Sequence, residues 1–446
     1  MWEIKKSIRN LFESEFYRSI LSLFSGMFAA RIVPALFAIV IARIYNPEDF
    51  GLFILYLTIA SVLSIITTGK YENAIILVET SYEKRQIFSV AQKINTVING
   101  LLLLLLFLVT MLAGDYNTTN VILIILIPVY AFFFSSIQLI RNVFVSKKQF
   151  NQISILETTR AFLTGGLQCL FFIWPGFGLF LGAIMAQGII YVFYSRKVEE
   201  AIYFKVKRLT ANESALAKRY IDFPKFSVLS EVFNFVSSQL PVFLIKPFFG
   251  STMLGLYSFS HRYISIPIQL LSKSISSVYL QKCRELKNDD QELGELTFSL
   301  FKKQFLLGIL PFTILGLWGK SIFIFVFGAE WEFSGYLAQV ISPWLFAVML
   351  GSPLSAIFIV REKQKLSMVF NIALLTLRAL SLLIGGWLYK DITVAVGLYS
   401  LTGFLFFAGL TAYSLWLAGA NLKNAMFYTL KTTLLIVPFI LLKLWL

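Results

Sequence analysis

The residues best suited to chemistry are polar and charged side chains that recur at helical spacing inside long apolar runs. The largest such set lies in the run near 252–280. Its members, at steps of three or four residues, are Ser258, Arg262, Ser265, Gln269, Lys273 and Ser276. Steps of this size place side chains on one face of an α-helix. Because hydrocarbon does not solvate charge, a face with two cations must point toward protein or water.

Three other apolar runs carry shorter stripes of the same kind. They are Ser227, Glu231, Asn234 and Ser238; Glu157, Arg160, Thr164 and Gln168; and Ser367, Asn371, Arg378 and Ser381. Arg31 lies in the middle of a further run, three residues before Pro34. One interpretation is structural, since hydroxyls and amides bond neighbouring helices and an arginine can pair with a glutamate. The other interpretation is that the stripes line an aqueous cavity.

The cavity interpretation is favoured for Arg31, Arg262 and Arg378, because none of them has an acidic residue on its own helix. Uncompensated arginines favour an anion, and the planar guanidinium matches pairs of phosphate oxygens. The predicted ligand therefore carries phosphate or acidic sugar. The candidate binding residues are Arg31, Arg262, Lys273, Arg378, Arg160, Gln269 and Asn234. Glu157 and Glu231, the acids well inside apolar runs, are candidates for coupling to an ion.

Sequence patterns typical of catalysis or cofactor binding do not occur in the chain. It contains no GxxxxGK[ST] phosphate loop, no HExxH and no GxSxG. Cys169 and Cys283 lie too far apart for a metal-ligand spacing or a disulfide framework. His261 points about 100° around the helix from Arg262, so packing or a hydrogen bond is favoured over a proton switch. The sequence therefore predicts no catalytic site, no metal and no cofactor.

The elements that must position these residues are membrane-spanning helices. Of 446 residues, 57% are hydrophobic and 14% are charged, which is more apolar than a soluble domain. Runs long enough to cross a bilayer lie near 19–42, 51–68, 87–113, 120–140, 153–174, 178–195, 226–248, 252–280, 304–327, 336–360, 366–388 and 393–418. A last run, 425–446, either crosses or lies at the interface. The fold class is therefore all-α, a polytopic membrane protein of about 12 or 13 helices in two six-helix bundles.

Basic residues predict the orientation of the chain. With a cytoplasmic N-terminus, the inside segments hold 27 lysines and arginines, whereas the outside turns hold three. Cytoplasmic loops retain such residues, so the net charge of +15 reports topology and does not indicate nucleic-acid binding. The predicted division is an amphipathic helix at 1–18, lobes at 19–195 and 226–418 with a basic linker at 196–225 between them, and a hydrophobic helix at 419–446.

Several short motifs resemble one known family. Residues 43–51 read RIYNPEDFG and resemble the R-x-Y-x-P-x-x-F-G turn of bacterial polysaccharide-export flippases of the Wzx type. These flippases belong to the multidrug/oligosaccharidyl-lipid/polysaccharide (MOP) exporter superfamily. Further matches, in order along the chain, are GKYENAI at 69–75, Phe223-Pro224, GLY at 255–257 and SPLS at 352–355. We expect Pro47 and Gly51 to punctuate an external turn, and Pro353 to kink the tenth span.

The resemblance implies a two-lobed bundle that alternates access to a central cationic cavity. The implied cargo is an undecaprenyl-pyrophosphate-linked oligosaccharide, an O-antigen or capsule repeat unit, flipped to the periplasmic leaflet of the bacterial inner membrane. By helix number, Arg31 and Arg262 are the nearest equivalents of arginines that line the cavity of the related lipid II flippase. The expected partners are this lipid-linked oligosaccharide and membrane lipids, and the resemblance leaves other polysaccharide-assembly membrane proteins open.

Two alternative functions stay open at this point. An ion-coupled multidrug exporter of the same superfamily needs an intramembrane acid and a cavity suited to cationic drugs, but arginines outnumber acids in the spans. A membrane glycan polymerase or ligase needs a sizeable external loop, whereas the predicted external turns are short. The first interpretation, a flippase without enzymatic activity, is therefore favoured.

Overall fold

The structure of the protein, a computed structural model, describes residues 32–113, 118–174, 176–202, 209–434, 437–439 and 443. These residues form α-helices, short 3₁₀ or π segments and connecting turns, and no β-strand occurs among them. The chain divides into two compact units, residues 1–239 and 240–446. The predicted helix at 1–18 and the candidate Arg31 lie outside the described residues.

The first unit is built from long apolar helices joined by short ones. Its helices are α1 (Ile32–Ile44), α2 (Pro47–Thr67), α3 (Tyr71–Leu77), α4 (Ser81–Ala113), α5 (Thr118–Ser146), α6 (Phe150–Leu170), α7 (Gly178–Ser195), α8 (Glu199–Ile202), α9 (Ala211–Arg219) and α10 (Val228–Ser238). A 3₁₀ turn, Phe171–Ile173, follows α6, and a π segment, Phe223–Ser227, precedes α10. The predicted linker at 196–225 therefore contains two helices, α8 and α9.

The motif at 43–51 begins a helix. The Asn46 side chain accepts a hydrogen bond from the backbone N–H of Asp49 at 2.8 Å, and Pro47 is the first residue of α2. A capping asparagine and a proline in the first turn both favour helix initiation. The expectation for Gly51 was wrong, because this residue lies buried inside α2 and not in the turn. The connection between α1 and α2 is thus only two residues long.

Amide and hydroxyl side chains bond α4 to α5 inside the first unit. Gln92 Nε2 and Asn95 Nδ2 both donate to Ser136 Oγ, at 2.9 and 3.1 Å. Asn99 Nδ2 donates to Asn95 Oδ1 at 2.7 Å, which extends the network along α4. All four residues are buried. Within a membrane such bonds satisfy polar groups that water cannot reach, so they act as links between helices.

The second unit contains fewer and longer helices. They are α11 (Leu240–Glu285), α12 (Asp290–Phe327), α13 (Glu332–Leu354), α14 (Ile357–Val360), α15 (Gln364–Leu383), α16 (Ile392–Leu417) and α17 (Leu422–Thr433). A 3₁₀ turn, Ala329–Trp331, precedes α13, and a π segment, Ile384–Tyr389, follows α15. Gly250 interrupts α11 with a φ of 84°, a left-handed conformation that glycine adopts at little cost. This break lies between the predicted runs at 226–248 and 252–280.

The tenth predicted span is interrupted directly after Pro353. This proline is the next-to-last residue of α13, Leu354 ends the helix, and α14 begins at Ile357 after a two-residue turn. A proline removes one backbone donor and disfavours helical conformation in the residue before it, which favours a break in the helix. The predicted effect of Pro353 on this span therefore agrees with the helix break at residues 355–356.

Nine helices among the described residues are long and apolar enough to cross a membrane. Helix α6, which covers most of the predicted run at 153–174, is less apolar because it carries Glu157 and Arg160. Helix α17 covers 12 residues, and the described residues 437–439 and 443 beyond it are also helical. The chain is a multi-pass α-helical membrane protein.

The segment between α8 and α10 is fastened to α4 by a buried ion pair. Lys93 Nζ lies 2.7 Å from Glu213 Oε2, and their side chains are 11% and 5% exposed. Glu213 also completes a capping box with Thr210, which starts α9. Burial raises the pKa of Glu213, but hydrogen bonds from Lys93, Ser89 and Thr210 outweigh it, so that the pKa lies below its ordinary value. The ion pair between Lys93 and Glu213 therefore joins the basic linker to α4.

We predict that Glu213→Gln destabilises the solubilised protein by about 3 kcal/mol, because it leaves the Lys93 ammonium without a carboxylate. The contribution of Glu213 is present above the ordinary carboxyl pKa and is lost as the pH falls through its lowered folded-state pKa. Melting curves at neutral and strongly acidic pH should show the gap between wild type and variant narrowing in acid. The exposed Glu285 supplies the control, and equal losses in Glu285→Gln and Glu213→Gln would contradict the assignment.

Candidate functional site

A cavity of about 320 Å³ lies inside the first unit. Helices α2 and α5 contribute hydroxyl and amide side chains to its wall, namely Ser61, Ser64, Ser135, Gln138 and Asn142. The charged residues that line it are Lys70, Glu72, Arg141 and Glu231. Polar walls of this kind within membrane helices mark a water-accessible or ligand-accessible space. The cavity is therefore the candidate functional site of the first unit.

Lys70 connects two carboxylates at this cavity. Its Nζ lies 2.7 Å from Glu231 Oε1 and 3.3 Å from Glu72 Oε1. The side chains of Lys70 and Glu72 are almost fully buried, whereas that of Glu231 is 47% exposed. Lys70 follows Gly69, and both have left-handed backbones with φ near 60°. This backbone turns the chain from α2 into α3 at the cavity wall.

A second charged group lies beside the first. Arg141 Nε is 3.3 Å from Glu157 Oε1, and Arg160 Nη1 is 3.7 Å from Glu157 Oε2. The Arg160 guanidinium also stacks over the Phe134 ring at 4.7 Å. For Arg160 the structure thus matches the packing alternative, because this arginine is an ion-paired cation. With Lys70, Glu72 and Glu231 included, three cations face three carboxylates, so the two groups together carry no net charge.

Two predicted residues of α10 lie at an adjoining pocket of about 550 Å³. Glu231 and Asn234 line it together with Phe226, Ser227 and Ser230. Asn234 is exposed, and Glu231 contributes to both pockets. The predicted stripe on this helix therefore marks a pocket wall.

In the second unit, the stripe on α11 divides into two parts. Its hydroxyl members Ser258 and Ser265 are buried, whereas its long members Arg262, Gln269 and Lys273 are exposed. No carboxylate among the described residues forms an ion pair with Arg262 or Lys273. Arg262 was predicted to have no acidic partner on its own helix, and among the described residues it has none on the other helices either.

Arg378 on α15 is held by aromatic rings. Its guanidinium carbon lies 4.8 Å from the Trp344 ring and 5.2 Å from the Tyr399 ring. The Arg378 Nε is buried and has no hydrogen-bond partner in the described part of the chain. Stacking stabilises a guanidinium without neutralising it, so this cation keeps its charge and a donor.

His261 packs between two aromatic rings of the second unit. Its ring lies 5.8 Å from Tyr257 and 5.5 Å from Trp344, nearly parallel to both. Its Nε2 is 3.4 Å from the Ser265 hydroxyl. These contacts are those of the packing role that the sequence favours for this histidine. No group of His, Cys, Asp or Glu that could hold a metal occurs within the described ranges.

Sequence reasoning missed Lys70, Glu72 and Arg141. The signal was present in the stretch 69–75, where a lysine and a glutamate two residues apart follow a glycine between two apolar runs. That stretch was used for the resemblance and was given no chemical role. Arg141 lies one residue beyond the predicted run at 120–140, but in the structure it is inside α5, near the C-terminal end of that helix. Only tertiary contacts bring these three residues to one cavity.

Long apolar helices in two units, with charged groups held among them, define a multi-pass membrane protein of a transporter fold. The structure of "Lipid II flippase MurJ, inward closed conformation" aligns with a TM-score of 0.71 at 14% identity, over 94% of this chain and 92% of that one. A MOP superfamily transporter from Pyrococcus furiosus aligns with a TM-score of 0.58 at 13% identity, over 93% and 98%. At these identities the comparisons establish the fold.

The family described as "Polysaccharide biosynthesis protein" matches residues 9–334, and the chain belongs to this family. The succinoglycan biosynthesis transport protein ExoT of Rhizobium meliloti (strain 1021) is 23% identical over 306 residues, 66% of this chain and 59% of ExoT. The chain thus spans less than two thirds of ExoT. The capsular polysaccharide biosynthesis protein CapF of Staphylococcus aureus is 22% identical over 367 residues, 79% of this chain and 88% of CapF.

We predict that Lys70→Met destabilises the first unit by about 3 kcal/mol, because two carboxylates lose the ammonium that they share. Lys148 offers a matched control, since it has a φ of 56° against 59° for Lys70 but is exposed. Replacement of either lysine by methionine changes the left-handed backbone position in the same way. Thermal melting of the solubilised variants should therefore show a larger loss of stability in Lys70→Met than in Lys148→Met, because only the first also removes an ion pair. Equal melting points of the two variants would refute the shared ion pair.

Proposed function

We propose that the protein is a flippase that moves an undecaprenyl-pyrophosphate-linked oligosaccharide across the bacterial inner membrane. The family connects the chain to polysaccharide biosynthesis, and the fold is that of MOP transporters. ExoT is named as a transport protein and MurJ as a lipid II flippase. The observation that carries the proposal is a set of three cations in helices of the second unit, Arg262, Lys273 and Arg378, none of which is ion-paired with a carboxylate among the described residues.

Arg262 and Lys273 form the core of the proposed anion site. Eleven residues separate them, which is about three turns and about 16 Å along α11, so both project from one side. Exposure leaves their charges available, and the excess of positive charge favours a pyrophosphate or an acidic sugar over a cationic drug. This argument favours the lipid-linked cargo over the multidrug alternative. A polymerase or ligase has less support, because the fold is that of transporters.

Arg378 is proposed to donate a hydrogen bond to the same anionic cargo. Its Nε–H is buried and lacks an acceptor among the described residues, and a buried donor without a partner is costly. An anionic oxygen on the cargo would supply that acceptor. Gln269 and Asn234 are proposed to bond glycan hydroxyls, since both present exposed side-chain amides. Arg31, which lies outside the described residues, is included because its predicted helix has no acidic residue and because of the resemblance.

The energy for transport is proposed to enter through the first unit. Glu157 is already paired with two arginines, so Glu231, half exposed and bonded to one lysine, is the better supported of the two predicted coupling acids. The strong excess of basic residues in the predicted inside segments supports a cytoplasmic N-terminus. Other polysaccharide-assembly membrane proteins are proposed as partners on the resemblance.

We predict that Arg262→Ala or Arg31→Ala abolishes surface glycan export in cells while the protein stays folded and inserted. With purified protein in liposomes, Arg262→Ala should slow flipping of the lipid-linked oligosaccharide about tenfold or more, because a charge-assisted hydrogen bond contributes about 1.5–3 kcal/mol. Arg262→Lys should lie between wild type and Arg262→Ala, since it keeps the charge and loses the planar fork.

Arg284 provides the control for this experiment. It is an exposed arginine on the same helix, in the predicted basic inside segment at the end of α11. Arg284→Ala should flip the lipid-linked oligosaccharide at the wild-type rate. Unchanged flipping in Arg262→Ala, Lys273→Ala and Arg378→Ala would remove the proposed anion site.

A further inference from the structure

Glu72 has a buried carboxylate whose two oxygens differ in their contacts. The residue is 5% exposed and lines the first unit's cavity. Its Oε1 lies 3.3 Å from Lys70 Nζ. Its Oε2 is buried and has no hydrogen-bond partner in the described part of the chain. A carboxylate accepts through both oxygens, so this one lacks a partner that the cavity must supply.

The neighbours of Glu72 do not provide that partner. Lys70 lies closer to Glu231, at 2.7 Å, than to Glu72. Asn142 Nδ2 donates to the backbone carbonyl oxygen of Glu72 at 3.0 Å, so that amide hydrogen bond does not reach the carboxylate. One ammonium therefore serves two carboxylates, and the trio Lys70, Glu72 and Glu231 carries one negative charge in excess.

The other charged groups around α3 are engaged or exposed. Arg141 of α5 lines the cavity but is 3.3 Å from Glu157. Lys93 of α4 is held by Glu213. Lys225, in the π segment that packs against α3, is exposed. The Tyr71 hydroxyl donates to the carbonyl oxygen of Ala217. The Glu72 Oε2 thus has no hydrogen-bond donor among the described residues.

We propose that Glu72 is the proton-binding site of the first unit, and this proposal rests on the proposed transport function. A proton from cavity water forms one O–H bond at Oε2 and returns to water when that bond breaks. Nothing else is transferred. Protonation removes the excess negative charge of the trio and gives Oε2 a donor for the hydroxyl and amide oxygens of the wall, such as Ser64 or Gln138.

A proton fits this site better than a metal cation. Lys70 Nζ already lies 3.3 Å from the same carboxylate, and a second permanent cation beside it would be repelled at short range. A proton becomes part of the carboxyl group and neutralises it, so no pair of like charges is created. The buried position also limits exchange to protons that enter through the cavity.

Protonation of Glu72 would change the ion pair between Lys70 and Glu231 of α10. When Glu72 is ionised, it competes with Glu231 for the Lys70 ammonium. When Glu72 is neutral, Lys70 pairs with Glu231 alone, which strengthens the link between the start of α3 and α10. Proton binding inside the unit is thereby coupled to the helix that carries Asn234 and the adjoining pocket.

The first test measures proton binding without transport. Infrared difference spectra of the protein in lipid, recorded between acidic and alkaline pH, should contain a carbonyl band of a buried protonated carboxyl group. We expect that band to disappear in Glu72→Gln and to persist in Glu285→Gln, which alters an exposed glutamate. Glu72→Asp should shift the band. If Glu72→Gln does not fold, an unshifted band in Glu72→Asp overturns the proposal.

The second test measures coupling in liposomes that contain the lipid-linked oligosaccharide. An imposed pH gradient should accelerate flipping at least tenfold in wild type and in Glu285→Gln, but not in Glu72→Gln, which flips at a rate independent of the gradient. Acceleration by a sodium gradient alone, or a full pH response in Glu72→Gln, overturns the proton site. A titrating Glu72 band in a protein that flips no lipid would reject the proposed function and leave the proton site standing.

Discussion

The structure depends on one constraint: a charge inside a membrane must be paired, stacked or given access to water. The first unit meets this constraint by pairing. Lys70 bridges two glutamates, and Arg141 and Arg160 share a third. Three cations and three carboxylates near one cavity give a polar space with no net charge, held together by short contacts among α3, α5, α6 and α10.

The cations of the second unit have different surroundings. Arg378 is stacked on Trp344 and Tyr399, and Arg262 and Lys273 are exposed along α11. None of these cations has a carboxylate partner among the residues that the structure describes. We infer that the first unit exchanges protons and that the second unit binds the anion. Such a division suits a transporter in which one equilibrium biases another.

Backbone geometry sets the position of the charges in the first unit. Gly69 and Lys70 are both left-handed, and a lysine in this region is uncommon because its Cβ is crowded there. The turn points Lys70 toward the cavity, where two carboxylates stabilise it. Gly250 has a related role in the second unit, since its positive φ lets α11 change direction ahead of the stripe that carries Arg262.

The sequence by itself determined the fold class and much of the family. An apolar fraction this large requires lipid, and the ordered short motifs indicated polysaccharide export, in agreement with the polysaccharide biosynthesis family to which the chain belongs. Helical spacing also identified the stripes on α10 and α11, because the period of a helix is fixed by its backbone. Helix boundaries were less accurate, since Gly51, predicted in a turn, lies inside α2.

Only the tertiary structure decided which charges are paired. Arg160 is engaged by Glu157 and Phe134, whereas Arg262 is exposed and has no ion pair with a carboxylate among the described residues. The stretch 69–75 shows Lys70 next to Glu72 in sequence, but only the fold brings Glu231 to the same ammonium and leaves Asn142 bonded to the Glu72 backbone carbonyl oxygen. Periodicity fixes which side of a helix a residue occupies, and packing determines what it meets there.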